Sequence, residues 1–272
     1  MQHNINTFYF SPTGTTKKIV SNLAGALAAS AGSKIALDID FTLPAARTKP
    51  VSFTDQDLVV VGLPVYAGRI PNVLLNYLNG VRGNGAFAIA VVVYGNRHYD
   101  DALIELKDIL EAKGLQVIGG GSFIGEHSFS KILGQNRPDE RDMSIITEFA
   151  RLIHSKLKTQ NLLETIFVPG KRPYLAYYQP KDNDGKPVFI HKVTPKTNSD
   201  CIDCKLCVSL CPMGSIDADA TSKIIGICIK CGACIKKCPM QSKYFDDANY
   251  LRHKRELEAA FTFPRREPEF FL

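Results

Sequence analysis

The chain carries two groups of residues whose types and spacing suit chemistry, and they lie far apart. Towards the carboxy terminus, "CIDCKLCVSLCP" begins at Cys201 and a close copy, "CIKCGACIKKCP", begins at Cys228, a repeat of 27 residues. Each reads C-x2-C-x2-C-x3-C-P: Cys201, Cys204, Cys207, Cys211 and Pro212, then Cys228, Cys231, Cys234, Cys238 and Pro239. Three thiolates two residues apart wrap a loop around three corners of an iron–sulfur cubane, and the proline turns the chain away at the fourth. Structural zinc instead favours two C-x2-C pairs with a longer gap. A disulfide framework is disfavoured as well, because all eight cysteines lie within 201–238 at a spacing too regular for generic staples. Near the amino terminus, "SPTGTTKK" follows the strand-like "NINTFYF" and precedes a run with Ile19, Val20, Leu23 and Leu27 at helical spacing. A strand-to-helix loop presents free N–H groups at the positive end of a helix, and Ser11, Thr13, Thr15 and Thr16 add hydroxyls. That is phosphate-binding chemistry, although Ser and Thr also cap a helix start without any ligand.

The cysteine pattern resembles that of bacterial ferredoxins with two [4Fe–4S] clusters. In that pattern the fourth cysteine of each run ligates the other cluster. The resemblance therefore assigns Cys201, Cys204, Cys207 and Cys238 to one cluster, and Cys228, Cys231, Cys234 and Cys211 to the other. Gly214, Gly226, Gly232 and Ala233 are small enough to let backbone N–H groups approach the sulfurs. The amino-terminal loop has neither the G-x-G-x-x-G of dinucleotide sites nor the G-x-x-x-x-G-K-[ST] of a P-loop. It resembles the flavodoxin phosphate loop, [ST]-x-T-G-x-T, through Ser11, Thr13, Gly14 and Thr16. The resemblance implies FMN, with its terminal phosphate held by hydroxyls and amides.

The elements that must position these residues are legible as alternating patterns. Strand signals recur at "KIALDID", "DLVVVGLPV", "AFAIAVVVYG" and "LQVIGGGSF", with helical stretches at 71–78, 101–113 and 138–158. Continuous apolar strands alternating with helices predict a parallel sheet covered on both faces. The expected fold is α/β: a flavodoxin-like, doubly wound, five-stranded parallel sheet of order 2-1-3-4-5, with a small α+β bacterial-ferredoxin domain. Its ligand would lie at the carboxyl ends of the strands, where "LPVYAGRIP" and "VYGNRHYDD" follow the third and fourth strands. The flavodoxin resemblance implies that Pro64, Val65, Tyr66, Ala67 and Gly68 flank the flavin ring on one side, and Tyr94, Gly95, Asn96, Tyr99 and Asp100 on the other. Tyr66 and Tyr99 would stack on the ring. Ala67 or Gly68 would turn backbone towards its central nitrogen, and Gly95 and Asn96 towards its pyrimidine edge. Many flavodoxins stack a tryptophan there, and this chain has none. "GGGSFIGEHSFSK" reads as a third Gly-rich loop, with Glu126 and His127 a solvated pair.

Composition sets the outer bounds. At 272 residues, with 45% hydrophobic and 22% charged residues, the chain is globular and holds one large domain or two ordinary ones. The net charge of +6 comes without a long Lys/Arg block, so nucleic acid is not an expected partner. No apolar run approaches the roughly 18 residues of a membrane span, and no leader pattern opens the chain, so a cytoplasmic location is expected. The expected divisions are a flavodoxin-like FMN domain at 1–158, a proline- and aromatic-rich linker at 159–195, a two-cluster ferredoxin domain at 196–242 and a tail at 243–272. The tail contains a helix over 250–261 and a "PRREPEFFL" end that docks on the body. As a whole the chain resembles the flavodoxin–ferredoxin fusion proteins of anaerobic bacteria. That implies electron transfer between clusters and FMN, with ferredoxin-like donor or acceptor proteins as partners and cluster-domain lysines (Lys205, Lys223, Lys230, Lys236, Lys237) steering an acidic donor. The alternative is a reductase that uses FMN on a small molecule, with a pocket formed by the linker aromatics.

Overall fold

The computed structural model describes residues 3–159, 162, 165–182 and 184–272. Five strands form a parallel sheet: β1 (Asn4–Tyr9), β2 (Ile35–Asp40), β3 (Asp57–Pro64), β4 (Phe87–Tyr94) and β5 (Gln116–Ile124). Their order is 2-1-3-4-5, with Ile5 between Ile35 and Leu58, and Val59 opposite Ala88. The central strands β3 and β4 are apolar at almost every position because helices cover both faces. On one face lie α1 (Thr15–Ser30) and a later helix at Glu140–Thr159, which bury Ile19, Leu23, Phe149 and Ile153 against Val60 and Val91. On the other lie α2 (Leu75–Leu78) and α3 (Ala102–Ala112), with Leu78, Leu103 and Leu106 against Phe8 and Val61. The Glu140–Thr159 helix is α4. The helix expected over 71–78 is instead a 3₁₀ turn at Asn72–Leu74 running into the single turn of α2. Asn79 and Gly80 follow at once, and both are poor at extending a helix.

The three glycines at 119–121 are not a loop. They lie inside β5, where each removes a clash: a Cβ on Gly119 would stand 2.4 Å from Ile153, and one on Gly120 2.9 Å from Val168. The strand needs this space because α4 covers one face and the segment after it crosses the other. Ile166 and Val168 of that segment are buried in the core beside α3. The rest of the proline-rich joint is strapped to the body. The Asp101 carboxylate accepts from the Lys171 and Leu175 N–H groups, and Tyr177 donates to the Ile70 carbonyl at 2.7 Å. Arg69 pairs through two bonds with the buried Glu105 and lies over the rings of Tyr174 and Tyr177.

The cysteine-rich part is a twofold pseudo-repeat, and the 27-residue period extends to its backbone. Strand β6 (Lys196–Thr197), helices α5 (Leu206–Ser209) and α6 (Ala233–Lys236) and strand β7 (Lys243–Tyr244) build it. Helix α6 is α5 moved on by one period. Thr197 pairs with Lys243, and the equivalent Ile224 bridges to Ile216. Left-handed backbone occurs at Asp203 and Lys230, Lys205 and Gly232, and Gly214 and Gln241, three pairs one period apart. After this region α7 (Ala248–Phe261) starts at Asp247, whose carboxylate accepts from the Tyr250 N–H, and spans slightly more than the expected helix. The docking end is β8 (Glu269–Phe271). It adds a sixth, antiparallel strand to β5, with Gly121 opposite Phe270. An open sheet edge at β5 is thereby paired. Phe270 stacks on Phe149 at 5.0 Å, and the Tyr99 hydroxyl donates to Glu269 at 2.6 Å.

Candidate functional site

The phosphate-type loop is held from behind. The Ser11 N–H donates to the Thr42 hydroxyl at 2.8 Å, the Ser11 hydroxyl accepts from the Lys17 N–H at 2.9 Å, and the Gly14 carbonyl accepts from the Lys18 N–H at 3.0 Å. A helix start leaves its first N–H groups without intrahelical partners. Those of Thr15 and Thr16 have no protein acceptor among the described residues. Gly14 has φ 95°, a left-handed conformation that glycine adopts without a Cβ penalty. Thr13, Thr15 and Thr16 line a cavity of about 90 Å³, whereas Ser11 and Gly14 support the loop from outside its lining. Lys17 lies 3.9–4.0 Å from Asp38 and Asp40, and Lys18 donates to the Pro138 carbonyl. The cysteine-rich part brings a cation to the loop: Lys237 Nζ stands 3.9 Å from where a Cβ on Gly14 would be.

Pro64, Val65, Tyr66, Ala67, Gly68, Tyr94 and Gly95 line the same cavity. Asn96, Tyr99 and Asp100 do not line it. The carboxy-terminal tail has recruited two of them. Asn96 donates to the Phe261 and Pro264 carbonyls and accepts from the Arg266 N–H, and Tyr99 is 2% exposed and engaged by Glu269. Asp100 pairs with Arg97 and packs under Gly68, where a Cβ would meet its carboxylate at 2.2 Å. The Ala67 carbonyl accepts from the Tyr178 N–H at 2.9 Å and the Gly68 carbonyl from the Asp101 N–H at 3.2 Å. Arg97, with Gly125 and His127 of the third Gly-rich loop, completes the lining. Burial, and then the nearby Lys236, push the His127 pKa down to about 4, so the imidazole is neutral.

The eight cysteines are all free and fall into two quartets. Cys201, Cys204, Cys207 and Cys238 line one small cavity, and Cys211, Cys228, Cys231 and Cys234 line another. Among the described residues, no three His, Cys, Asp or Glu side chains converge closely enough to hold a single ion. The thiols of Cys211 and Cys238 each accept an N–H at 3.3 Å, from Ser215 and Ser242, again one period apart. Such bonds stabilise negative charge on sulfur.

The two halves meet through the second quartet. Cys231 lines the cavity of the phosphate-type loop together with Tyr66, whose pKa is raised well above the ordinary tyrosine value first by burial, then by the Cys231 and Cys228 thiols. Gly232 makes the approach possible, since a Cβ there would stand 2.5 Å from the Ser128 carbonyl. Lys236 crosses the junction to donate to the Glu126 carboxylate and to the carbonyls of His127 and Ser130, at 2.7 and 3.0 Å for the carbonyls. Glu126 and His127 are thus an interdomain anchor and a cavity wall, not a solvated pair. Arg47 adds a bond to the Pro212 carbonyl at 2.5 Å. The lysines expected to steer a donor are partly spent: Lys236 in this anchor, Lys230 on the His191 and Cys228 carbonyls, and Lys205 on Asp203.

Residues 175–253 match the family model of the 4Fe–4S dicluster domain. No curated protein matches the chain. Among solved structures, a flavodoxin from the domain Archaea resembles it at 14% identity and TM-score 0.40, over 57% of this chain and 98% of that one. A flavodoxin of Streptococcus pneumoniae TIGR4 does so at 17% and 0.39, over 56% and 98%. The rubredoxin oxygen:oxidoreductase of Desulfovibrio gigas does so at 19% and 0.39, with only 37% of that longer chain covered. Strand order and parallel register define the fold: the chain joins a flavodoxin-like α/β body to a ferredoxin-type iron–sulfur domain. No helix among the described residues is long and apolar enough to cross a membrane.

Proposed function

We propose that the chain binds FMN and two [4Fe–4S] clusters and relays electrons between them, with the cluster of Cys211, Cys228, Cys231 and Cys234 next to the flavin. One observation carries the reading: Cys231 lines the same cavity as Thr13, Thr15, Thr16 and the loop at 64–68. The two quartets of thiols, each around its own cavity, support the crossed ligand sets. The free N–H groups and hydroxyls of the loop at 11–16 suit a phosphate monoester, and Lys237 would bring a positive charge to it from the cluster domain. When bound, FMN would exchange one or two electrons and each cluster one, and the linkage of both halves in one chain keeps them at high effective concentration. A redox protein, either donor or acceptor, is the expected partner. The domain divisions near 158, 195 and 242 are part of this proposal, with 162–195 acting as a strap on the body.

Anaerobically prepared protein should contain about eight irons and one FMN. In stopped flow, reduced ferredoxin should reduce the flavin rapidly in the wild type and much more slowly in Cys211→Ser, which removes a ligand of the inner cluster. Equal flavin reduction in both proteins would remove the relay. A second reading, ferredoxin-driven reduction of a small molecule at the flavin, is favoured by a separate chamber that opens beside the loop at 65–67.

A further inference from the structure

That chamber is larger than the cavity of the phosphate-type loop, at about 580 Å³. This is the size of sites that hold small organic ligands. It lies between the loop at 65–67, the second cysteine run and the strap. Tyr177, Tyr178, Val188, Phe189 and Ile190 of the strap form much of its wall, with Phe129 and Leu257 opposite. The walls are therefore mainly aromatic and aliphatic.

The polar groups around the chamber have one sign. Arg97 and Lys230 line it, with His127, His191 and His253, and no Asp or Glu does. Both cations are held in place. The Arg97 guanidinium pairs with Asp100 and lies over the Tyr178 ring at 5.4 Å, and Lys230 is fixed by the His191 and Cys228 carbonyls at 2.9 and 2.8 Å. His127 offers a neutral donor. Its Nδ1 accepts from the Phe129 N–H at 3.1 Å, so its own proton resides on Nε2. A carboxylate entering this space would meet oriented donors on walls that hold no Asp or Glu, and a flat apolar body would meet aromatic faces.

We propose that the chamber is a binding site for a small organic acid with a planar apolar body, such as an aromatic or conjugated carboxylate. The inference builds on the flavin reading, because Val65, Tyr66, Ala67, Arg97, His127 and Ser128 also line the cavity assigned to FMN. A ligand in the chamber would border the flavin at that shared wall. This deepens the reductase alternative by naming its substrate class.

The test is calorimetric titration of the full chain, reconstituted with iron–sulfur clusters and FMN, with trans-cinnamate and with cinnamyl alcohol. Cinnamate should bind one site saturably, at least about tenfold more tightly than the alcohol, from the usual strength of hydrogen bonds to charged groups. Arg97→Gln should weaken cinnamate by about tenfold or more and leave the alcohol unchanged. That variant also loses the Asp100 pair, so a second one adds independent evidence. Phe189 is 67% exposed, and Phe189→Glu places a carboxylate on the wall without disturbing a core. It should weaken cinnamate selectively, while Phe189→Gln should not. Absence of saturable cinnamate binding, equal affinity for acid and alcohol, or cinnamate affinity unchanged in both charge variants would overturn the assignment. Flavin content, measured separately from absorbance after denaturation, keeps the two readings apart. Protein that binds cinnamate selectively yet never retains FMN supports the chamber and removes the flavin from its neighbour.

Discussion

Replacing Lys236 with methionine should loosen the junction between the two halves by a calculable amount. Its ammonium has three protons, and all three are used: on the Glu126 carboxylate and on the His127 and Ser130 carbonyls. Its side chain is 14% exposed and that of Glu126 35%. Hydrogen bonds to charged groups are worth roughly 1.5–3 kcal/mol each. The three are not additive, because they share one desolvated ammonium, and Glu126 is wet enough to be rehydrated when its partner leaves. We therefore expect a loss of about 2–4 kcal/mol in docking free energy, which multiplies the open population by roughly 30 to 700. Methionine keeps most of the stem volume, so packing is largely preserved. Hydrogen exchange read at the amides of 126–130 should accelerate by that order in Lys236→Met, and flavin reduction through the clusters should slow. A Glu126→Gln, Lys236→Met double-mutant cycle isolates the ion pair from the two carbonyl contacts. Exchange of the 126–130 amides within twofold of wild type would refute the claim that Lys236 anchors the junction.

Thr13→Ala with Thr16→Ala should weaken FMN at least tenfold while iron content stays constant; unchanged flavin retention would move the phosphate elsewhere. Lys237→Ala should weaken FMN severalfold but leave riboflavin, which lacks the phosphate, unaffected, and Lys237→Arg should restore binding in equilibrium dialysis. Cys238→Ser should damage the same cluster as Cys207→Ser in EPR spectra, and damage to the cluster of Cys228 and Cys231 instead would break the crossed ligation. Burial holds the His127 pKa at about 4, below the ordinary 6.5, so the unfolded chain binds more protons between these values. Stability should therefore fall as pH drops from 6.5 towards 4, by up to about 3 kcal/mol in full. The thermal midpoint of His127→Gln should fall less than that of wild type between pH 6.5 and 5.

The sequence by itself determined the local chemistry and a parallel sheet covered on both faces, and its flavodoxin resemblance implied the strand order. Two cysteine runs with fixed spacing confine their thiols to short loops, and the exchange of Cys211 and Cys238 between the two sets was implied by the ferredoxin resemblance. The apolar runs of β3 and β4 announced strands covered on both faces, because no half-exposed strand tolerates that composition. Helix periodicity placed α1, α3 and α4 to within a few residues. What the tertiary structure decided were contacts between segments remote in sequence. "EPEFFL" was legible as a docking end, but its place as a strand on β5 depends on the free edge that β5 offers. Asn96 and Tyr99 sit in the loop that a flavodoxin resemblance marks for the ring, yet the tail engages both, and no local pattern at 94–100 encodes a partner at 261–269. The orientation of the cluster domain left one faint trace. The first run carries Lys205 where the second carries Gly232, at the same left-handed position. Glycine there relieves backbone strain in any setting, so its second reason, the Ser128 carbonyl pressed against it, appears only when the halves are in contact. Side-chain spacing along a chain is set by covalent geometry, whereas which surfaces meet is set by complementarity summed over many distant residues. That is why the quartets were readable and the junction that brings Cys231 to the phosphate-type loop was not.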